Sequence, residues 1–504
     1  MNYADLFRAT LPETALEVAA LVVLIVDLGF LRKAALKMRL AVAALLGLAG
    51  CGAALWLVLL QGTRGLSYQS TGELLLTTGG FTAVAQVGIL ALTALTLLLL
   101  IDTDFTRHVG EFVAVVLMSA TGGLLIAAAQ DLLVIFVGLE LLSLGLYILT
   151  AFAKRSGKSA EAALKYYLFG GMSAAFLLFG FSYLYGLTGS TNLHQILLAV
   201  SGQNAHQIAP LLFAAMVMIA AGLGFKVAAV PFYLWAPDTY EGAPAPAAAF
   251  IASVSKVASF ALLISISTAA LHALDGGHVV AVNPGFLVLW SLILTVLAAS
   301  SMVLGNLAAL AQTSVRRLLA YSAIAHAGYI LLGLAFFSYS ARSAGALLYY
   351  ILTYGLTTIG AFGVVGVVER ATGSDKMDSF LGLHKRNPVL AAILLVLFLS
   401  LAGIPPLVGF WAKFNLFAAV LGVSAGPVPF ALVALAVALS AVSLYYYLQV
   451  LKRAYVMHSV DDTPIKAHPV TMAVLVAIAA AVVVLGCFPA LLQGWIESFV
   501  RLRQ

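Results

Sequence analysis

Apolar runs of roughly 18 to 25 residues follow one another along the whole chain, separated by short polar connections. An α-helix needs about that length to cross roughly 30 Å of hydrocarbon. The pattern predicts fourteen spans, beginning near residues 14, 40, 80, 111, 132, 163, 210, 246, 285, 320, 343, 388, 429 and 470. The alternating ten-residue segments of a β-barrel are absent, so the backbone groups are to be satisfied within helices. The expected fold is all-α: a polytopic membrane protein of about 14 transmembrane helices. Composition agrees, since 63% of the 504 residues are hydrophobic and 9% charged, against about 25% charged in a soluble domain.

The start, "MNYADLFRATLPETALEV", has no basic n-region or A-x-A site and reads as a helix start rather than a removable signal. Thr10 and Glu13 have capping-box spacing, with Pro12 in the first turn.

The net charge of +6 suggests nucleic acid until the basic residues are placed. The tract "RKAALKMR" holds Arg32, Lys33, Lys37 and Arg39 and assigns the first loop to the cytoplasm by the positive-inside rule. Counting every second loop from there collects seventeen of the 26 basic residues, whereas Arg8, Arg64, Arg342, Arg501 and Arg503 make five on the other side. The loop "APDTYEGAP" has none, and parity alone assigns it to the cytoplasm. An even span number follows, with both termini periplasmic if the membrane is a bacterial inner membrane.

Four basic residues remain, Lys165, Lys226, Lys256 and Lys413, all inside apolar spans together with Glu140. Five such groups, unpaired at mid-membrane, would cost on the order of 12 to 17 kcal/mol, more than most folds can lose. They must pair, be neutral or line a hydrated cavity, and each arrangement suits proton relay. Lys165, near the cytoplasmic start of its span, reads equally as a relay member and as a snorkelling lysine. Lys256 lies some ten residues into its helix, roughly 15 Å deep, with Ser253 and Ser259 extending a polar stripe along the same face. The bland reading of Glu140 is a structural partner for a lysine.

Lys226 and Lys413 each stand by a helix breaker. Pro231 follows the first, and Pro405 and Pro406 in "GIPPLVGFWAKF" precede the second. A broken helix frees backbone groups that are tolerable at membrane depth only where they face protein or a wet cavity, and transporters build ion sites in this way. His326 in "RRLLAYSAIAHAGY" could carry a proton near neutral pH, although a lone buried histidine is more often structural.

These residues recur. Glu140 in "LLVIFVGLE" and His326 in "LLAYSAIAH" share the ninth position at an offset of 186, and Lys226 and Lys413 are 187 apart. "KYYLFGG" and "LYYILTY" match at 183, with Lys165 replaced by Leu348. An odd number of spans between copies predicts two inverted five-helix repeats, each containing a broken helix. The division is residues 1–110, an N-terminal three-helix segment; 111–275, the first half; 276–455, the second half; and 456–504, a C-terminal helix and tail.

Cys51 and Cys487 are too few and too far apart for an iron–sulfur or zinc site. Neither a dinucleotide fingerprint nor a Walker lysine loop occurs, so no cofactor is expected in this chain, and no metal.

Together "KYYLFGGMSAAFLLFGFSYLYGLTG", "FYLWAPDTYEGAPAP", "RRLLAYSAIAHAGY" and "GIPPLVGFWAKF" resemble the antiporter-like membrane subunits of respiratory complex I, NADH:quinone oxidoreductase, over nearly the whole chain. "PDTYEGAP" is similar to the subunit N pattern, whereas the M branch carries glutamate where Lys413 stands, and the chain stops at Gln504, short of the lateral helix of the L branch. The resemblance implies that Glu140 modulates Lys226, with Lys165 nearby. Lys256 and His326 would carry protons across the middle, and Lys413 would serve the exit. It also implies that NADH, FMN, iron–sulfur clusters and quinone belong to partner subunits, with quinone reduction there as the driving force. In general, desolvation and a movable carboxylate act oppositely on a lysine's proton affinity, which makes such a pair switchable.

Two rivals share these features. An Mrp-type cation/proton antiporter subunit would also have two broken helices and buried lysines, but the "TYEGAP" ending speaks against it. An assembly scaffold would have little reason to bury acid and base beside helix breaks.

Overall fold

A computed structural model describes residues 3–64, 67–70, 73–200, 205–275, 284–337, 341–423, 426–459 and 463–501. Arg503 and the side chains of Arg64 and Arg501 lie outside the described residues. The N-terminal segment comprises α1 (Tyr3–Ala9), α2 (Leu11–Ile25), which continues through a π-helical turn at Val26–Phe30, α3 (Leu36–Arg64) and α4 (Gly80–Leu100). Between α3 and α4 a short antiparallel hairpin, β1 (Ser67–Ser70) and β2 (Glu73–Thr77), departs from the all-α expectation. Five segments follow: α5 (Val109–Ala128), α6 (Leu132–Thr150), α7 (Gly157–Thr188), then after a short α8 (Leu193–Val200) the broken pair α9 (Ala205–Lys226) and α10 (Trp235–Gly242), and α11 (Ala245–Asp275). The next five are α12 (Pro284–Leu310), α13 (Val315–Ala335), α14 (Ala341–Thr372), the broken pair α16 (Pro388–Ala402) and α17 (Val408–Val423) preceded by a one-turn α15 (Leu383–Arg386), and α18 (Pro427–Tyr455). The chain ends with α19 (Pro469–Cys487) and α20 (Pro489–Arg501). Among the described residues, eleven helices are long and apolar enough to cross a membrane, and three shorter apolar helices, Pro210–Lys226, Pro388–Ala402 and Val408–Val423, fall in the two broken segments.

Local chemistry sets the ends. Asp131 caps α6 by accepting from the amides of Leu133 and Val134, and Ser314 caps α13 by accepting from Arg317. Asn387 caps α16, with Pro388 in the first turn, and Gly403 ends it in the left-handed region. The capping box expected at Thr10 and Glu13 does not form. Thr10 follows α1 directly, so its hydroxyl donates back to the Leu6 carbonyl at 3.1 Å, while Glu13 is buried and accepts from Gln86 at 3.3 Å.

The two five-helix sets carry the same backbone ties. Leu132 N donates to Thr191 O at 2.8 Å and Leu193 N to Gln130 O at 2.9 Å; in the second set Val315 N donates to Asp375 O and Met377 N to Thr313 O, both at 2.9 Å. Close helix approach recurs in the same register. A Cβ on Gly122 of α5 would lie 2.5 Å from Leu142 N and 2.8 Å from Gly138 O, and one on Gly305 of α12 would lie 2.6 Å from Ala325 N and 2.9 Å from Tyr321 O. Both sets of contacts are offset by 183 residues. In that register His326 stands at the place of Ser143, one turn beyond Glu140, rather than opposite Glu140 as the offset of 186 suggests. The lysines are not matched either. Lys226 is the last residue of α9, before its break, and Lys413 lies within α17, after its break; the equal spacing comes from connections of different length.

Contacts gather the basic loops on one face. Asp27 binds Arg39 through both oxygens, at 2.6 and 2.7 Å, and accepts from Gly110 N at 3.0 Å. Arg370 pairs with Asp102 at 2.7 Å, and the amide of His468 donates to the same carboxylate. Arg453 pairs with Asp378 at 3.3 Å. Arg317 reaches Asp238 at 2.6 Å and Glu241 at 3.1 Å, which brings "APDTYEGAP" to the basic face that parity assigned it.

Candidate functional site

The broken segments are built alike. The chain leaves helix at residues 227–234 and 403–407, with cis peptides at Val230–Pro231 and Pro405–Pro406. Pro231, Pro405 and Pro406 lack an N–H, and the turn around them strips the preceding helix end of its donors. Each exposed end is met by an ammonium group. Lys256, from the middle of α11 and 2% exposed, donates to the carbonyl of Val227 just past α9. Lys413, 5% exposed, donates to the last two carbonyls of α16, Leu401 at 3.1 Å and Ala402 at 3.0 Å, and to Ser440 Oγ of α18 at 2.7 Å. Its three N–H bonds are thereby used, and a helix C-terminus is the negative end of the helix dipole. The Lys413 ammonium also stands 5.3 Å from the centre of the Tyr329 ring.

Lys226, 6% exposed, turns the other way and donates to Ser143 of α6, whose hydroxyl in turn donates to Leu139 O. Glu140 lies one turn before Ser143 on α6. Among the described residues no ion pair within 4 Å joins it to Lys226. His326, 4% exposed, shares a 2.9 Å hydrogen bond between Nδ1 and the Tyr350 hydroxyl. Its ring is 5.8 Å from that of Tyr329 and 4.9 Å from that of Tyr354. Thus Lys226, Lys256, His326 and Lys413 are all buried in the interior. They are held by hydroxyls and freed carbonyls rather than by pairing with one another.

Lys165 stands apart. Its side chain is 40% exposed and bonded to Asp238 at 2.8 Å and Glu161 at 2.6 Å. Asp238 also accepts from Arg317, while Glu241 takes Arg317 at 3.1 Å and Lys158 at 3.2 Å. Arg316 completes the cluster through Glu369 and the carbonyls of Glu241 and Ala243. Here α10 is fastened to α13. Ser143, Ser440, Tyr350, Tyr354 and Asp238 escaped the sequence reading. Only Asp238 had a signal, as an acid inside a quoted motif lying next to a helix break. A serine or tyrosine in an apolar run carries none. Among the described residues no group of three or more His, Cys, Asp or Glu is placed to hold a metal ion.

The model of the NADH:quinone oxidoreductase/Mrp antiporter transmembrane family matches residues 129–440. The chain belongs to that family. Within it, NADH-quinone oxidoreductase subunit N 2 of Acidobacterium capsulatum is 48% identical over 99% of both chains. A chain of respiratory complex I from Thermus thermophilus superposes with a TM-score of 0.76 at 32% identity, covering 96% of this chain and 98% of that one. A chain of the Mrp complex from a Dietzia species superposes with a TM-score of 0.78 over 97% of both chains, but at 21% identity that likeness concerns the fold alone. The matched span begins at Ala129, before α6, and ends at Ser440, one of the Lys413 partners, so it contains all six candidate residues.

Proposed function

We propose that this chain is a proton-translocating membrane-arm subunit of an NADH:quinone oxidoreductase. It moves protons through Glu140, Lys226, Lys256, His326 and Lys413 while quinone is reduced elsewhere in the complex. The observation that carries this reading is the buried row itself: three ammonium groups and an imidazole at the centre of the protein, each on a polar partner that tolerates gain or loss of a proton. Such residues within a membrane are by default functional. The 48% identity to a subunit N over nearly the full length supports the assignment to that branch over the Mrp reading.

The finer features follow from the same reading. The repeated backbone ties and glycine contacts support two inverted halves, 111–275 and 276–455, flanked by 1–110 and 456–504, with fourteen crossings in all. The shared basic face is the cytoplasmic one of a bacterial inner membrane, and both termini are periplasmic. Lys165 of α7 fastens α10 at the mouth through Asp238 rather than passing protons at the centre. The subunit performs no redox step. NADH, FMN, iron–sulfur clusters and quinone are bound by its partners, and its neighbours are other antiporter-like and small membrane-arm subunits.

Lys226→Ala in the assembled complex tests this. The complex is expected to assemble, and quinone-linked proton pumping in reconstituted vesicles to fall sharply. Normal pumping would defeat the assignment. An Mrp-type role predicts instead that a Na⁺ gradient alone drives protons through the purified protein.

A further inference from the structure

The basic face opens into a cavity of about 650 Å³, walled in part by Glu241, Arg316, Phe362, Gly363 and Glu369. A second cavity, of about 10 Å³, lies beside His326 and is lined in part by Tyr350, Thr353, Tyr354 and Thr357; it has room for about one water. Between the two, α14 carries Phe362, Thr358, Tyr354 and Tyr350 at four-residue steps. Successive members of such a set are neighbours on the helix surface, about 6 Å apart along the axis and turned by about 40° per step. Phe362 is 1% exposed, and its ring stands edge-on to Tyr240 at 5.6 Å between centres. Past that contact, Tyr240 Oη and Thr358 Oγ1 are both buried, and among the described residues neither has a hydrogen-bond partner. Tyr354 lies one turn before Thr358 on α14, and its ring is tilted against that of His326 at 4.9 Å between centres. Native proteins rarely leave buried hydroxyls unserved, and two of them aligned between two cavities mark where ordered water completes a path.

We propose that the basic face reaches His326 by a narrow path of water and hydroxyl groups along this face of α14, through Thr358 and Tyr354, and that Phe362 packed on Tyr240 is its plug. Each hydroxyl accepts a proton on its oxygen as it releases its own, so none is left charged, and the imidazole takes the proton at the end. The use of the path by protons rests on the function proposed above. Its existence does not.

Cysteine accessibility in the whole complex tests it, with Cys51→Ala and Cys487→Ser made first and a small membrane-impermeant methanethiosulfonate added to the basic face. Asp104→Cys, at the exposed rim of the wide cavity, should label quickly and Thr358→Cys slowly. Adding Phe362→Ala should speed labelling of Thr358→Cys ten-fold or more and leave Ile359→Cys, at the same depth on another face, unlabelled. No acceleration at Thr358→Cys, or equal labelling of Thr358→Cys and Ile359→Cys, overturns the path. Tyr354→Phe should lower pumping at least three-fold and enlarge the solvent isotope effect, which a purely structural ring would not do. Unchanged pumping overturns passage through Tyr354. If labelling follows Phe362 while Lys226→Ala pumps normally, the path stands and the relay reading falls.

Discussion

Lys256 has two separable jobs, and substitutions at this one position can pull them apart. Its ammonium group donates to the Val227 carbonyl, and Val227 is fully buried at the break after α9. Lys256→Met removes both charge and donor, leaving that carbonyl unsatisfied at a cost of about 1 to 3 kcal/mol. Lys256→Gln removes the charge but keeps an amide donor, on a stem one atom shorter, able to serve the carbonyl directly or through one water. If Lys256 passes protons, both variants should slow proton pumping at least ten-fold, equivalent to raising a barrier by about 1.4 kcal/mol. Only the Met variant should lose stability to match the orphaned carbonyl. Pumping is read in proteoliposomes by a pH-sensitive dye against the rate of NADH oxidation, and stability by the temperature at which the solubilised complex disappears from a native gel. Wild-type pumping by Lys256→Gln would refute the relay and reduce Lys256 to a helix cap. Equal stability of the two variants would show that the bond to Val227 contributes nothing.

Asp238→Asn should loosen the junction of α10 with α13, because Lys165 and Arg317 both lose a carboxylate at 2.8 and 2.6 Å. With the carboxylate 28% exposed, the expected loss from the Arg317 pair is at most about 1 kcal/mol, shrinking as salt rises; a thermal shift independent of KCl concentration would speak against it. Gly122→Ala and Gly305→Ala should each destabilise by about 1 to 3 kcal/mol, since a Cβ would press on the Leu142 and Ala325 amides respectively. Gly157→Ala, where nothing lies within 4 Å, is the control that should be neutral in the same native-gel assay.

Much of this protein was legible from one dimension. Run length located the helices, because a bilayer imposes one crossing length and forbids unsatisfied backbone. Basic residues sorted the loops, and contacts such as Arg317 with Asp238 and Arg370 with Asp102 join those loops on one face. The prolines marked the breaks at 227–234 and 403–407, since proline removes a donor wherever it falls. The buried lysines and His326 were conspicuous because a charge in an apolar run has no cheap explanation.

Tertiary structure decided what those residues touch. In a soluble helix the polar stripe tells which face packs inward, but in lipid the outer face is as apolar as the core, so hydropathy says little about helix rotation. For that reason Ser143 under Lys226, Ser440 under Lys413 and Tyr350 beside His326 were invisible in the sequence. The same silence set the 186-residue match of Glu140 and His326 beside the 183-residue match of "KYYLFGG" and "LYYILTY", and only the Gly122 and Gly305 contacts favour the second. Sequence alone determined that titratable groups lie in the membrane beside broken helices. Only packing decided that Lys256 closes the first break and Lys413 the second, because the partner carbonyls lie 29 and 11 to 12 residues away along the chain, and helix rotation against neighbours sets which of them a side chain can reach.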